Sequence, residues 1–322
     1  MLKQQIVLVC AWLVFQTTFA QSPNARRYKD MVFKDISIDK DQSYNPDAAG
    51  DDKKVYLFDL YQPKGDDAKA RPLIIWMHGG GFKLGTKRAK GVRVWSQNFA
   101  ERGYVCASIN YRLSKENPLL HFDALLRASF YATQDAKRAV AYFRKNADRY
   151  HIDPNRIILG GNSAGGFMAL DAAYTKNEDF GRMANIANAE IKKSGMPYQS
   201  VYAVINYWGG IYNLEWLKNS KTPIISVHGS EDGLVPITHK DAPLHGSLDI
   251  HNKADELHIP NTLKIYQGYS HELQRHFNPF YEGSKAKGRW LEAAQFTADY
   301  LYEMMEKPHP ALSKWEGSKN GS

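Results

Sequence analysis

The chain alternates between short apolar runs and longer stretches in which polar and apolar residues are mixed. Six of the runs are largely continuous rather than alternating, which is typical of β-strands that are covered on both faces. We therefore predict six buried strands, at residues 73–77, 104–111, 156–159, 201–207, 223–228 and 262–266.

Residues 31–38 and 53–62 have a different pattern, because apolar and polar residues alternate along both segments. Alternation with a period of two is typical of strands with one solvent-facing side, and the polar stretch between the segments predicts a loop. The chain is therefore expected to begin its fold with an antiparallel hairpin.

Stretches with helical periodicity lie between or after the predicted strands. The clearest are residues 128–150, 165–174, 246–257 and 290–305. Strands that alternate with helices predict an α/β fold, here an eight-stranded, mostly parallel sheet with helices on both faces. Two further segments, 113–131 and 176–200, could shape a binding site, and their modest length predicts a small lid at most.

The two ends of the chain differ from its body in composition. Residues 1–20 carry Lys3, then an apolar run, then small residues before a cleavage point after Ala20, which is the pattern of a secretory signal peptide. Residues 308–322 are polar and end in Gly and Ser, as in a flexible tail. We predict a signal peptide at 1–20, a single α/β domain at 21–307, a C-terminal tail at 308–322, and a secreted or periplasmic protein.

The net charge of the 322-residue chain is +8, and its basic residues are spread along the sequence rather than clustered. This predicts a solvated basic surface and no nucleic-acid binding, because no recognition motif accompanies the charge. The apolar run near the start is shorter than the roughly 20 residues that a membrane span needs, so a stable membrane anchor is not expected. Cys10 lies in the predicted signal peptide, which leaves Cys106 without a partner for an intramolecular disulfide.

The most informative motif is Gly-Asn-Ser-Ala-Gly at residues 161–165, which follows a predicted strand and precedes a predicted helix. A strand, a Gly-x-Ser-x-Gly turn and a helix form the context of a nucleophile elbow. Glycines on both sides of Ser163 leave room for a sharp turn that exposes the serine hydroxyl. Ser163 is therefore the candidate nucleophile.

A second motif, His-Gly-Gly-Gly-Phe at residues 78–82, comes directly after a predicted strand. Consecutive glycines offer backbone N–H groups that no side chain shields, as an oxyanion site requires. We expect an oxyanion hole formed by the N–H groups of Gly80, Gly81 and Ala164, although the sequence does not fix which two glycines donate. His78 is expected to brace the loop.

In this order, the two motifs resemble those of the α/β-hydrolase superfamily, in its esterase/lipase branch of carboxylesterases with a His-Gly-Gly-Gly loop. The resemblance runs from about residue 50 to about residue 305 and implies a Ser–acid–His triad in that chain order. Residues 228–236, His-Gly-Ser-Glu-Asp-Gly-Leu-Val-Pro, look like the acid loop of the family. The resemblance thus assigns the acid to Asp232, with Glu231 as the competitor.

The resemblance assigns the histidine to the short loop after the last predicted strand. His271 occupies that position, and His276 is close enough in sequence to be an alternative. His228 lies at a strand end and is expected to be structural. In the implied mechanism, His271 takes the proton of the nucleophile and Asp232 fixes the tautomer of the imidazole.

These residues predict an exported carboxylic ester hydrolase that works through an acyl-enzyme intermediate. The second half of the chain resembles esterases that remove acetyl or feruloyl groups from plant polysaccharides, so the expected partner is an ester substrate, in particular an acylated carbohydrate. The alternatives are a general short-chain carboxylesterase or lipase, and a non-catalytic binding module of the same fold. The chemistry requires no cofactor, and the sequence does not determine the oligomeric state.

Aromatic residues beside the predicted motifs are candidates for the substrate pocket, namely Phe82, Tyr111 and Trp208. Four histidines also lie close together in sequence, namely His239, His245, His251 and His258. A metal site would need these side chains to converge. Their spacing of six or seven residues is equally consistent with an exposed helix face, so no metal is predicted.

Overall fold

The computed structural model describes residues 25–50, 52–239, 243–276, 278 and 284–306. The strands are β1 (Ile36–Ser43), β2 (Leu57–Pro63), β3 (Arg71–Met77), β4 (Val105–Ile109), β5 (Ile152–Asn162), β6 (Ala203–Tyr207), β7 (Ile224–Gly229) and β8 (Asn261–Tyr266). The helices are α1 (Asp52–Val55), α2 (Lys90–Ala100), α3 (Phe122–Lys145), α4 (Ala147–Tyr150), α5 (Ala164–Tyr174), α6 (Asn177–Met183), α7 (Asn188–Ser194), α8 (Ser247–Glu256) and α9 (Ser284–Glu306), with 3₁₀ turns at Leu214–Asn219 and His271–Leu273. The predicted signal peptide at 1–20 and tail at 308–322 lie outside the described residues.

The strands form one sheet in the order β1-β2-β4-β3-β5-β6-β7-β8. The pairs β1–β2 and β2–β4 are antiparallel. All other neighbouring pairs are parallel. The predicted eight-stranded, mostly parallel sheet is therefore confirmed, and the carboxyl ends of β3, β5, β6, β7 and β8 share one edge, where ligands bind in such sheets.

Both faces of the sheet are buried, because helices cover each of them. Along β3, Leu73, Ile75 and Met77 pack into a core with residues of α3, α5 and α8. Ile74 and Trp76, which point the other way, pack into a second core with residues of α2 and α9. A strand buried on both sides needs apolar residues at successive positions. This explains why the central strands are continuous apolar runs in the sequence.

The antiparallel hairpin at the start of the fold is displaced from its predicted bounds. β1 lies at Ile36–Ser43 rather than 31–38, and residues 52–55 form a short helix instead of the first part of β2. The strand continues through a polar stretch by way of an irregularity, where the N–H group of Asp41 donates to the buried Asp59 carboxylate at 2.9 Å. Backbone pairing on an edge strand tolerates polar side chains, so the alternation of side chains did not locate the strand ends.

The two segments expected to shape the site are small. α3 begins at Phe122, so the second half of the segment 113–131 is helix rather than loop. The segment 176–200 carries α6 and α7, and Phe180 of α6 packs edge-on against Phe130 of α3 at a centroid distance of 5.7 Å. This segment therefore thickens the helical layer and forms no separate cap. Among the described residues, no helix has the length and apolarity to cross a membrane.

Candidate active site

The candidate nucleophile, acid and base come from three loops at one edge of the sheet. Ser163 directly follows β5, Asp232 follows β7, and His271 opens the turn after β8. β5, β6, β7 and β8 are neighbouring parallel strands. Their carboxyl ends therefore bring together residues that are far apart in sequence.

Ser163 sits at a sharp turn between β5 and α5. Its backbone has φ 51° and ψ −120°, a conformation that residues other than glycine rarely adopt. The N–H group of Ser163 donates to the carbonyl of Tyr207 at 2.9 Å, which ties the turn to β6. A Cβ atom at Gly161 would lie 2.3 Å from the backbone of Gly165, so the chain can fold back this closely only with glycine at position 161. Backbone strain of this kind clusters at sites where a structure fixes a reactive side chain.

Two hydrogen bonds connect the three side chains in the order Ser163, His271, Asp232. His271 Nε2 lies 3.0 Å from Ser163 Oγ, and His271 Nδ1 lies 2.7 Å from Asp232 Oδ2. An ionised carboxylate only accepts, so Nδ1 of His271 carries a proton and Nε2 is left to accept from the serine hydroxyl. All three residues are buried, and Ser163 is the most open of them at 8% exposed. This arrangement can move the serine proton to His271 and hold the resulting imidazolium beside a carboxylate.

Four donors point at the Asp232 carboxylate. The N–H groups of Leu234 and Val235 each donate to Oδ1 at 2.9 Å. At Oδ2, His271 is joined by Nε2 of His228, which lies 3.3 Å away. Burial would raise the pKa of Asp232, but the hydrogen bonds from His228 and His271 outweigh burial and hold this pKa well below its usual range. Asp232 therefore stays ionised under all conditions in which His271 could act as a base.

The two alternatives that the sequence left open lie elsewhere. The Glu231 side chain is exposed, and the backbone N–H group of this residue donates to the carbonyl of Tyr269 at 2.9 Å. His276 is exposed as well. The fold thus brings Asp232 and His271 into contact with one another, and it leaves their two competitors at the surface.

The glycine loop lies directly against the elbow. A Cβ atom at Gly79 would be 3.2 Å from the Cβ atom of Ser163. Gly80 and Gly81 follow with φ values of 111° and 59°, in the region that favours glycine. Ala164 is the first residue of α5, where N–H groups have no acceptor within the helix. The three predicted oxyanion donors are therefore within two residues of the contact between loop and elbow.

His78 braces the glycine loop from behind. Its Nδ1 atom lies 2.7 Å from the carbonyl oxygen of Gly79, and its ring stacks on Tyr111 at a centroid distance of 4.3 Å. The Tyr111 hydroxyl in turn donates to the carbonyl of His78 at 2.7 Å. Burial lowers the pKa of His78 to about 4, so the ring is neutral near pH 7. These contacts fix the path of the backbone that leads into the glycines.

The three aromatic residues predicted as pocket walls are packed inside the protein. Phe82, Tyr111 and Trp208 are 1%, 2% and 0% exposed. Phe82 lies edge-on to Tyr111 with ring centroids 6.4 Å apart, and Trp208 stacks on Tyr207 at 5.6 Å. Because the rings contact other protein side chains, their contact with substrate stays a prediction.

One exposed residue beside the glycine loop was missed in the sequence. Leu119 is 59% exposed, and its side chain would lie 2.3 Å from a Cβ atom at Gly81. The segment before it is anchored to the loop by Lys83, whose ammonium group donates to the backbone carbonyls of residues 114–116. The adjacent leucines 119 and 120, at the end of a polar stretch, were the signal available for this contact.

The histidines between residues 239 and 258 do not converge. His239 and His245 stack with ring centroids 4.7 Å apart, whereas His251 faces Asn261 and His258 is exposed. Within the described ranges, no group of three or more His, Cys, Asp or Glu side chains is arranged to hold a metal ion.

The chain resembles known proteins in part of its sequence. The family model BD-FAE matches residues 58–222, just over half of the chain, including the glycine loop and the elbow. Esterase LipC of Mycobacterium tuberculosis is 32% identical over 129 residues, which cover 40% of this chain and 29% of LipC. The probable carboxylic ester hydrolase LipM of the same organism is 30% identical over 148 residues, which cover 46% of this chain and 31% of LipM. The chain thus spans about a third of the length of these curated relatives.

Solved structures resemble a larger part of the chain at lower sequence identity. A truncated form of a carbohydrate esterase from gut microbiota has a TM-score of 0.58 at 20% identity, and the match covers 84% of this chain and 97% of that structure. Thermogutta terrifontis esterase 2 phosphorylated by paraoxon has a TM-score of 0.57 at 20% identity, with 82% and 94% of the two chains covered. These likenesses concern the fold. From the family match and the sheet topology together, the chain belongs to the BD-FAE family and has the fold of the α/β-hydrolase superfamily.

Proposed function

We propose that this chain is a carboxylic ester hydrolase in which Ser163 is the nucleophile, His271 the base and Asp232 the acid that orients the base. The observation that carries the proposal is the hydrogen-bonded chain from Ser163 to His271 at 3.0 Å and from His271 to Asp232 at 2.7 Å, beside a glycine loop. The relatives support it, since LipC is named an esterase and LipM a probable carboxylic ester hydrolase.

In the proposed reaction, Ser163 Oγ attacks the ester carbonyl carbon while its proton passes to Nε2 of His271. The carbonyl electron pair moves onto oxygen, and the N–H groups of Gly80, Gly81 and Ala164 stabilise that oxyanion. Removing one such donor typically costs about 3 kcal/mol of transition-state stabilisation. The C–O bond to the alcohol then breaks, and the alcohol leaves with the proton from His271.

A water molecule releases the acyl group by the same steps. His271 takes a proton from the water, the hydroxyl adds to the acyl carbon, and Ser163 Oγ leaves with that proton. Asp232 stabilises the imidazolium in both halves of the reaction and keeps Nδ1 of His271 protonated in the resting state. The products are a carboxylic acid and an alcohol.

For the substrate, we favour an acetyl or feruloyl ester of a carbohydrate. The likeness in fold to a carbohydrate esterase from gut microbiota supports this class. Leu119 lies exposed beside Gly81 and offers an apolar contact next to the expected oxyanion site, which suits the acyl part of an ester.

A general short-chain carboxylesterase is the second candidate, and a different observation favours it. Only 8% of Ser163 is exposed, which suits a small acyl group. A structure of Thermogutta terrifontis esterase 2 with propionate bound has a TM-score of 0.56 to this chain at 19% identity. Under this alternative, the alcohol of the substrate is not restricted to a carbohydrate.

The test compares wild type with Ser163→Ala on p-nitrophenyl acetate and butyrate, acetylated xylan and methyl ferulate. Wild type should hydrolyse at least one ester, and Ser163→Ala should have no activity above the uncatalysed rate while keeping its circular dichroism spectrum. Ser194→Ala, which removes a serine hydroxyl on α7, is the matched control and should retain wild-type rates.

The outcomes separate the candidates. Serine-dependent release from acetylated xylan or methyl ferulate supports the carbohydrate ester class, and release from p-nitrophenyl esters alone supports the general carboxylesterase. Equal hydrolysis by wild type and Ser163→Ala would rule out Ser163 as the nucleophile. Rates no higher than the uncatalysed rate for both proteins on every ester would favour a non-catalytic binding module.

We also infer that the protein is exported to the periplasm or secreted. The support is the sequence pattern of residues 1–20, with Lys3 before an apolar run and small residues before the cleavage point. The first residue of the exported protein, determined by N-terminal sequencing, should be Gln21. Recovery of the exported protein with Met1 intact would contradict cleavage.

A further inference from the structure

A second buried imidazole faces the acid of the candidate site. His228, at the end of β7, is 0% exposed, and its Nε2 atom lies 3.3 Å from Asp232 Oδ2. The same Nε2 atom lies 2.9 Å from the carbonyl oxygen of Val235. Val235 is also the residue whose N–H group donates to Asp232 Oδ1 at 2.9 Å. His228 therefore holds the acid loop at two points, the carboxylate and the backbone next to it.

The partners of His228 determine which ring nitrogen carries the proton. A backbone carbonyl and an ionised carboxylate can only accept hydrogen bonds, and both face Nε2. Nε2 must therefore be protonated, and its N–H donates to the Val235 carbonyl while facing the Asp232 carboxylate at 3.3 Å. At the other nitrogen, Nδ1 lies 2.6 Å from the hydroxyl oxygen of Ser247, at the start of α8.

The Ser247 hydroxyl is itself oriented by an amide. Gly209 N–H donates to Asn206 Oδ1 at 3.1 Å, which fixes the orientation of the Asn206 amide because an N–H group only donates. Nδ2 of Asn206 then donates to Ser247 Oγ at 3.1 Å. With this bond accepted, the hydroxyl proton of Ser247 points at Nδ1 of His228. Each donor in the series thus has an acceptor when His228 is the neutral, Nε2-protonated tautomer.

We infer that His228 is a positioning residue for the proposed reaction: as a neutral ring oriented by Asn206 and Ser247, it donates to the acid loop and fixes the Asp232 oxygen that binds His271. The inference rests on the proposed roles of Asp232 and His271. Asn206 links this series to the elbow, because its partner Gly209 packs against Ser163, whose carbonyl oxygen would lie 2.9 Å from a Cβ atom at Gly209.

Neutrality of His228 has a chemical consequence. Asp232 Oδ2 is shared by two N–H donors, so part of its negative charge is delocalised away from His271. Removing the His228 donor leaves more of the carboxylate charge to stabilise the imidazolium that His271 forms during the reaction. The acidic limb of the kcat/KM profile should therefore move to higher pH when the donor is lost.

The first experiment observes the tautomer without any assay of turnover. Wild type labelled with ¹⁵N-histidine is examined by NMR at pH 7, where ring nitrogen shifts distinguish protonated from unprotonated nitrogen, and His228→Gln assigns the signals. We expect Nε2 protonated and Nδ1 unprotonated at position 228. A doubly protonated ring, or the opposite tautomer, would overturn the inference whether or not the chain hydrolyses esters.

The second experiment measures kinetics against pH for two variants of His228. His228→Leu removes the donor that fixes the position of the Asp232 oxygen, and the misplaced carboxylate should lower kcat by about 10- to 100-fold, the effect of one hydrogen bond to a charged group. His228→Gln keeps an amide N–H within reach of Asp232 and should recover most of this loss, with the acidic limb close to that of wild type. In His228→Leu the limb should move to higher pH.

Two serines test the rest of the series. Ser247→Ala removes the hydroxyl that orients His228 and should shift the acidic limb in the same direction by a smaller amount. Ser226→Ala is the matched control, since Ser226 also accepts from Asn206, at 3.3 Å, but is not a hydrogen-bond partner of His228.

A purely structural role gives a different result. His228→Leu would then lose activity only in proportion to its loss of folded protein, measured by active-site titration with a paraoxon-type reagent, and its acidic limb would stay in place. That outcome overturns the inference. Failure of the proposed function is recognised separately, because wild type and Ser163→Ala would then be equally inactive.

Discussion

Two buried histidines stand at the same edge of the sheet, each followed by glycine, and they serve different loops. His78 follows β3 and contacts neutral groups, with Nδ1 2.7 Å from the Gly79 carbonyl and its ring on Tyr111. His228, at the end of β7, lies against a carboxylate, with Nε2 3.3 Å from Asp232. The same dipeptide thus fixes the glycine loop in one place and the acid loop in the other, according to the side chains that pack opposite it.

The difference has an electrostatic cause. Around His78, burial disfavours the charged ring and lowers the pKa to about 4. Around Asp232, hydrogen bonds from two imidazoles outweigh burial and hold the pKa of the carboxyl well below its usual range. Burial is common to both groups, but His78 is kept neutral whereas Asp232 is kept charged, because only Asp232 has hydrogen-bond donors that favour its charged form.

The largest expected effect is on the acid-loop side. Asp232→Asn keeps the shape of the side chain but no longer fixes Nδ1–H of His271, so kcat should fall by roughly 10³- to 10⁴-fold. Steady-state kinetics on p-nitrophenyl acetate measures the loss. Glu231→Gln is the matched control and should stay within about threefold of wild type, because a surface carboxylate contributes little. A larger loss in Glu231→Gln than in Asp232→Asn would reassign the acid.

The next effect is on the glycine-loop side. Gly80 has φ 111°, and a Cβ atom there would lie 2.2 Å from the carbonyl oxygen of Leu84, so Gly80→Ala must displace backbone. We expect kcat to fall by about 100-fold, as when one oxyanion donor is lost. Gly81→Ala should be milder, since its Cβ atom meets the side chain of Leu119, which can move. Equal wild-type rates in both variants would contradict an oxyanion role for this loop.

The next prediction concerns the contribution of His78 to the pH dependence of the free energy of unfolding. The folded-state pKa of about 4 is below the ordinary value of 6.5, so the unfolded chain binds a proton that the folded chain does not. The free energy of unfolding should therefore fall as the pH drops from 6.5 to 4 and level off below 4. The contribution of His78 to this fall is about 3 kcal/mol at most.

Urea unfolding at pH 8 and pH 4.5 measures this contribution by comparing wild type with His78→Gln. The wild type should lose more stability than the variant between the two pH values. His151→Asn, which removes an exposed imidazole, is the control. Parallel losses in wild type and His78→Gln would show that folding does not lower the pKa of His78, so that its ring is protonated in the folded protein at pH 4.5.

The smallest expected effect concerns the hydrogen bond from Tyr111 to His78. Tyr111→Phe removes the hydroxyl that donates to the His78 carbonyl at 2.7 Å and leaves that acceptor without this donor. The free energy of unfolding should fall by about 1 kcal/mol, measured by urea denaturation at pH 7. An unchanged or increased stability would mean that the stacked ring alone holds His78.

Much of the fold was predictable because the central strands are buried on both faces. Apolar runs such as 73–77 gave β3 nearly to the residue, since every position of such a strand needs an apolar side chain. An antiparallel hairpin at the edge of the sheet was predicted correctly, but the predicted bounds of its strands were wrong. Backbone pairing continues there through polar residues, so side-chain alternation does not mark the strand ends. The start of α3 was placed too late, at 128 instead of Phe122, because loop and helix do not differ in composition in that stretch.

The residues of the candidate site that belong to recognisable motifs were predicted from the sequence. Ser163 follows from its motif, and the family resemblance assigns Asp232 and His271 in loops after strands. The three side chains are in hydrogen-bond contact, while their catalytic roles stay predictions. The other groups that contact the Asp232 carboxylate could not be predicted from motifs. His228 opens the segment that resembles the acid loop of the family, but nothing in the sequence shows that its ring faces Asp232, and the prediction for it is a structural role.

The sequence by itself determined the order of the eight strands, the glycine-flanked turn at Ser163 and the residue types that ester chemistry needs. These depend on local periodicity and on backbone freedom at glycine, both of which act over a few residues. Only the tertiary structure decided that Asp232 rather than Glu231 meets His271, and that His228, Ser247 and Asn206 line up behind it. Such contacts depend on which loops the parallel strands bring to one edge of the sheet. They also depend on the direction of each side chain in the folded loops, which distant residues determine.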